Sequence, residues 1–191
     1  MQPVLRQEGG RSSLHPLQRR LIGLNGVGGS AVLGSYAYGF VAHAETVGEV
    51  WGGVPQWLRP LYTVSMLAAA VGYFAFTFFV LFRIEPRAVR ISRRIGYAGF
   101  LWLYALILIP SALWMPLTFA LLAAPSPGWW TAIRGVLAAV GIGSLGFVLA
   151  IRNAAPANAT TARRLALLGA LAFTFQTAVL DALVWPAYFP L

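Results

Sequence analysis

No charged residue occurs between Arg94 and Arg134, and that single gap limits what this chain can fold into. The heart of it, YAGFLWLYALILIPSALWMPLTFALLA at 97–123, rises as a helix by about 1.5 Å per residue and so outreaches a hydrocarbon layer of roughly 30 Å. Within it Tyr104, Ser111, Trp114 and Thr118 fall at helical spacing and share one face. Pro110 and Pro116 each break the ladder of backbone hydrogen bonds, which lipid tolerates only where neighbouring helices cover the freed groups. The segment is therefore expected at the centre of a helical bundle, with a polar and aromatic seam turned inward.

The rest of the chain agrees. It is 59% hydrophobic and only 10% charged, too apolar for a soluble domain of this length. Four further apolar runs at 21–43, 61–82, 130–151 and 165–186 predict an all-α membrane protein. It would consist of one five-helix transmembrane domain over 21–191, preceded by a basic tail at 1–20. Arg19 and Arg20 before a run ending in Ala42-His43-Ala44 mimic a secretory signal, but the run exceeds a usual signal core and reads as a retained first helix.

All basic residues are arginines, and they alternate by side. The tail holds Arg6, Arg11, Arg19 and Arg20, and the loop at 44–60 only Arg59. The next loop holds Arg83, Arg87, Arg90, Arg93 and Arg94, the turn at 124–129 none, and the loop at 152–164 Arg152, Arg163 and Arg164. This pattern puts the N-terminus in the cytoplasm and the C-terminus on the opposite side. Short loops and that orientation suit a bacterial inner membrane. The net charge of +9 is then a matter of topology, and nucleic acid is not an expected partner. Asn158-Ala-Thr160 is a formal glycosylation sequon on the side assigned to the cytoplasm and is set aside.

The absence of cysteine excludes disulfides, thiolate metal sites, c-type haem attachment and a cysteine nucleophile. His15 and His43 are the only histidines, so no metal centre and no resident cofactor are expected, and a porphyrin or haem would enter only as a bound ligand. Two stripes of small residues, Gly26, Ser30, Gly34 and Gly135, Ala139, Gly143, would let helices approach closely. Such approach could occur within the bundle, in a homodimer or against a larger membrane complex.

Asp181 most needs explaining, because a carboxylate inside a span is costly. Phe173, Thr177, Asp181 and Trp185 lie four apart and share a face, so Asp181 looks into the bundle. It is either a ligand-facing or proton-handling acid, or a structural carboxyl that is protonated or paired with Arg134 or Thr177. Arg134 itself snorkels to the interface or binds an anionic group. Trp129 and Trp130 fit an interfacial belt, while Trp51 and Trp57, with Pro55 between them, form either part of that belt or a lid over the bundle mouth. Trp114 is deep enough to prefer the interior. His43 at a span end and the pair Glu45 and Glu49 make poor metal ligands.

Four stretches resemble the tryptophan-rich sensory protein or translocator family, also known as the peripheral benzodiazepine receptor family. Trp51-Gly-Gly-Val-Pro55-Gln-Trp57 is similar to the end of its W-x-P-P-x-W loop, and Gly72-Tyr73 to a G-Y pair in its second helix. Ser111-Ala-Leu-Trp114-Met-Pro116-Leu-Thr-Phe119 resembles N-x-x-W-x-P-x-F-F, and the segment Leu180-Asp181-Ala-Leu-Val184-Trp185 resembles L-N-x-x-x-W. Ser111 and Asp181 stand where the family has Asn, and Thr118 where it has Phe. The resemblance implies a five-helix bundle, often dimeric, with a pocket under the first loop for porphyrins, other tetrapyrroles, sterols or aromatic drugs. It also implies that Trp51 and Trp57 lie in the lid and that Trp114, Phe173, Thr177, Leu180 and Asp181 lie at the pocket.

Taken from the residues alone, an inward stripe of Tyr104, Ser111, Trp114, Thr118, Thr177 and Asp181 in an apolar bundle is the pattern of a small-molecule site. The expected function is binding, transport or sensing of a flat hydrophobic molecule. Two rivals stand beside it. A membrane isomerase would set Asp181 and Glu49 as acid and base at one cavity, and a structural subunit would lack an enclosed pocket.

Overall fold

Among the described residues, three of the five long helices begin at a side chain that accepts a hydrogen bond from a first-turn amide. His15 caps α1 (Pro16–Ala42), its ring nitrogen accepting from the Leu17 amide while Gln18 reaches back to the His15 amide. Pro60 sits in the first turn of α2 (Arg59–Phe82) and costs no bond there. Ser126 caps α4 (Pro127–Asn153), and Thr160 caps the last helix. Between them runs α3 (Ala98–Ala123), which contains Pro110 and Pro116. The computed structural model describes residues 14–155 and 160–189. The tail as far as residue 13 and the sequon residue Asn158 lie outside the described residues.

The last helix is continuous from Thr161 to Tyr188 but changes winding. It opens as α5 (Thr161–Thr174), runs as a π-helix over Phe175–Val184 and closes with a turn, α6 (Trp185–Tyr188). π-helices mostly occur as single-turn bulges, often at functional sites, so ten residues is a long stretch.

Among the described residues, four helices are long and apolar enough to cross a membrane: α2, α3, α4 and the composite Thr161–Tyr188. Their flanks carry large exposed apolar side chains, among them Phe74, Trp102, Ile142 and Leu183. A lipid layer is what such a surface requires. The chain is a multi-pass membrane protein. α1 is as long as α4 but is diluted by Asn25 and a series of glycines, and it does not reach the apolarity of the other four.

Packing follows the order α1, α3, α4, α5, α2 around the bundle. The tightest seam is between α2 and α5 at Gly72 and Gly169. A Cβ on Gly72 would fall 2.4 Å from the Gly169 carbonyl oxygen, so only glycine lets the two backbones meet. The stripe expected to do this on α1 does not: nothing lies within 4 Å of where a Cβ on Gly26 or Gly34 would be, and Ser30 is exposed. Instead α1 touches α3 through Gly28 on Leu108 and Gly39 on Met115 and Phe119. On α4 the stripe divides, Gly143 packing on Ile107 while Gly135 faces open space.

Two apolar cores result. One, around Phe76, Phe100, Tyr104 and Phe147, fills the end of the bundle that carries the arginine loops. The other, around Val54, Tyr62, Leu137, Leu180 and Trp185, fills the tryptophan-loop end. At the arginine end, Arg90 and Ala155 exchange backbone hydrogen bonds of 2.7 and 3.0 Å and tie two loops together.

Candidate functional site

Between the two cores lies a cavity of about 360 Å³, walled by α1, α2, α3, α4 and the last helix. Ser111 and Trp114 reach it from α3, and Phe173, Gln176, Thr177 and Asp181 from the last helix. Tyr36 on α1 completes an aromatic wall, its ring centroid 5.8 Å from that of Trp114.

The π winding decides how the polar groups meet. With each amide bonded to the fifth carbonyl back, residues five apart lie one above the other. The Gln176 side-chain amide therefore donates to Asp181 Oδ1 at 2.7 Å. Neither expected partner of Asp181 is used. The Thr177 hydroxyl donates to the Phe173 carbonyl at 2.9 Å, and Arg134 lies on the far side of α4, in an outward groove with Gly135, Ala138 and Ala178. Gln176 is the residue that sequence reasoning missed, because it lies five residues before Asp181 and not four.

Two buried polar atoms at this cavity have no partner in the protein, the indole N–H of Trp114 and the side-chain oxygen of Gln176. Gln176 is only 4% exposed. Native structures leave few such groups unpaired, and here one is a donor and the other an acceptor on the same cavity.

Five of the ten expected residues, Ser111, Trp114, Phe173, Thr177 and Asp181, thus line one cavity. The other five do not. Tyr104 is fully buried below it and donates to the Thr77 hydroxyl at 2.7 Å. The buried Thr118 hydroxyl turns back to the Trp114 carbonyl at 2.8 Å, as hydroxyls in apolar helices do. Leu180 belongs to the core at the tryptophan-loop end, and its carbonyl accepts from the Tyr62 hydroxyl at 2.8 Å.

The tryptophan loop closes the end of the bundle but not with both tryptophans. Trp51 ends a short 3-10 helix (Val47–Trp51) and sets its edge on Tyr62, under the Arg59 guanidinium. Trp57 is 74% exposed and lies outside the cavity wall. The closure is made by Trp185, whose indole donates to the Val50 carbonyl at 3.0 Å, and by the Gly53 amide, which donates to the Tyr188 carbonyl at 2.8 Å. Gly52 supplies the required left-handed turn at φ 52°.

The cavity opens sideways. Leu33 on α1 is 73% exposed and Met66 on α2 41%, and both line it. Nearer the arginine end α1 and α2 are joined, by the Tyr73 hydroxyl on the Asn25 side chain and by the Gln18 amide on the Leu81 carbonyl. Beyond these ties α1 packs on α3 and leaves a gap beside α2.

No protein-family model matches the chain, and neither the curated proteins nor the solved structures contain a match to it.

Proposed function

We propose that this protein crosses the membrane five times, N-terminus inward, and binds a flat hydrophobic small molecule in the cavity between its two cores. The observation that carries the reading is the unpaired donor and acceptor, Trp114 Nε1 and Gln176 Oε1, on one mostly apolar cavity. Ligand sites are usually apolar clefts with a few convergent polar groups, and a ligand is what would pair these two. The resemblance to the translocator family supports the same reading, as do the arginine alternation for orientation and for a bacterial inner membrane. A cavity of about 360 Å³ sits at the small end of ligand sites, which run from roughly 300 to 1,000 Å³. That suits a compact fused-ring or sterol-like molecule better than a whole tetrapyrrole.

The isomerase alternative loses its geometric basis. Glu49 is exposed in the 3-10 helix and does not line the cavity with Asp181.

The test is tryptophan-fluorescence quenching of the detergent-purified chain by a small flat aromatic such as acridine, and by protoporphyrin IX. Saturable quenching that Ser111→Phe abolishes by filling the cavity is the expected result. Quenching that rises linearly in both proteins would refute the site.

A further inference from the structure

Building on that ligand site, we propose that its preferred occupant is a lipophilic organic cation. Its positive nitrogen would seat between Asp181 and the Gln176 carbonyl oxygen, and its apolar body against Tyr36, Trp114 and Phe173.

The polar groups on the cavity are unevenly matched. Asp181 is its one carboxyl, and no arginine, lysine or histidine lines it. Gln176 donates one of its two amide N–H groups to Asp181, and the oxygen of this 4% exposed side chain is a second acceptor without a partner. The Thr177 hydrogen is engaged with the Phe173 carbonyl. Of the cavity's donors, the Trp114 indole N–H is the buried one left unpaired. The Tyr36 and Ser111 hydroxyls on the cavity can donate or accept, so the single carboxyl and the buried, unpaired Gln176 oxygen are what favour a positively charged N–H donor.

Charge points the same way. An ionised carboxylate inside a membrane bundle is expensive without a positive partner. Among the described residues none has a basic group in ion-pair contact with Asp181. A bound ammonium would supply that partner in a low-dielectric setting, where the attraction is strong. The walls add to it, because the faces of Trp, Tyr and Phe attract cations and do so best when water is excluded. An anionic ligand, such as a porphyrin bearing carboxylates, would instead meet Asp181 with like charge. Trp114 Nε1 remains free to meet a carbonyl, ether or hydroxyl elsewhere on the ligand.

Three near-identical ring systems separate charge from shape: protonated 9-aminoacridine, uncharged acridine and acridine-9-carboxylate. Each is titrated near neutral pH into the full chain at fixed detergent, with tryptophan quenching as readout. The cation should bind roughly tenfold or more tighter than acridine, and the carboxylate weakest. Asp181→Asn keeps the shape and the Gln176 contact, and should bring the cation down to the level of acridine while leaving acridine unchanged. Asp181→Glu should retain the preference. Saturable binding of all three within roughly twofold of one another would overturn the cation preference and leave the ligand site standing. No saturable binding of any would overturn both. Should Asp181→Asn fail to fold, the three-ligand ratio in the wild type still decides the matter.

Discussion

At the arginine end, the buried tyrosines give their hydroxyls to α2: Tyr97 to the Val80 carbonyl at 3.1 Å and Tyr104 to the Thr77 hydroxyl at 2.7 Å. Midway along the bundle, the Trp114 indole N–H and the Gln176 side-chain oxygen are buried atoms with no partner in the protein. The two regions share helices, composition and an apolar surround, so hydrophobicity does not separate them. Backbone geometry does. Where the last helix is α-helical it lies against α2 closely enough for Gly72 and Gly169 to touch. Where it turns to π winding, its side chains spread over a wider turn and a cavity opens. One end satisfies its own polar groups, and the middle leaves two of them unpaired at a cavity.

This contrast can be broken from either side. Gly72→Leu should be the most damaging change. Its side chain has to displace the Gly169 backbone rather than a flexible neighbour, and overpacking of this kind costs about 3 kcal/mol or more. The expected outcome is little or no monodisperse protein after detergent extraction. Phe76→Ala empties a fully buried position among Tyr104, Phe147 and Phe173, and should cost about 3 kcal/mol. Phe173→Ala, on the cavity wall, should cost roughly a third of that, since part of its surface already faces open space, and should weaken ligand quenching. Thermal unfolding of the two variants side by side checks the ratio.

The smallest effect is the most telling. Tyr104→Phe removes a satisfied hydroxyl and strands Thr77, at about 1 kcal/mol. Trp114→Phe removes an unsatisfied donor, so the empty protein should lose no stability beyond about 0.5 kcal/mol, and some gain is expected. A loss as large as that of Tyr104→Phe would show that the two regions do not differ in the way described.

The long apolar runs made four membrane-length helices legible among the described residues. Asp181 was legible as an inward acid because the cost of placing it elsewhere is large. Its partner was not. Spacing of four predicts contact with Thr177, and nothing in the composition of FQTAVLDALV announces that the helix will widen and bring Gln176 beneath Asp181 instead. The Gly26, Ser30, Gly34 stripe misled for a related reason. Small residues permit close approach but do not choose the face, and on α1 the contacts fall at Gly28 and Gly39, where α3 presents Leu108, Met115 and Phe119. Trp57 was drawn into the lid by its proximity to Trp51 and Pro55, yet the loop is fastened by Trp185 and by the close pairing of Gly53 with Tyr188.

The gap between α1 and α2 at Leu33 and Met66 has a consequence for the ligand site proposed above. A site entered from the side equilibrates with molecules dissolved in the lipid, where amphiphilic solutes collect far above their level in water. Occupancy then follows the mole fraction of ligand in the surrounding membrane. Diluting the sample with buffer would leave it nearly unchanged, while adding empty lipid or detergent would strip the site, so an affinity quoted per litre of water has meaning only alongside the amount of lipid present.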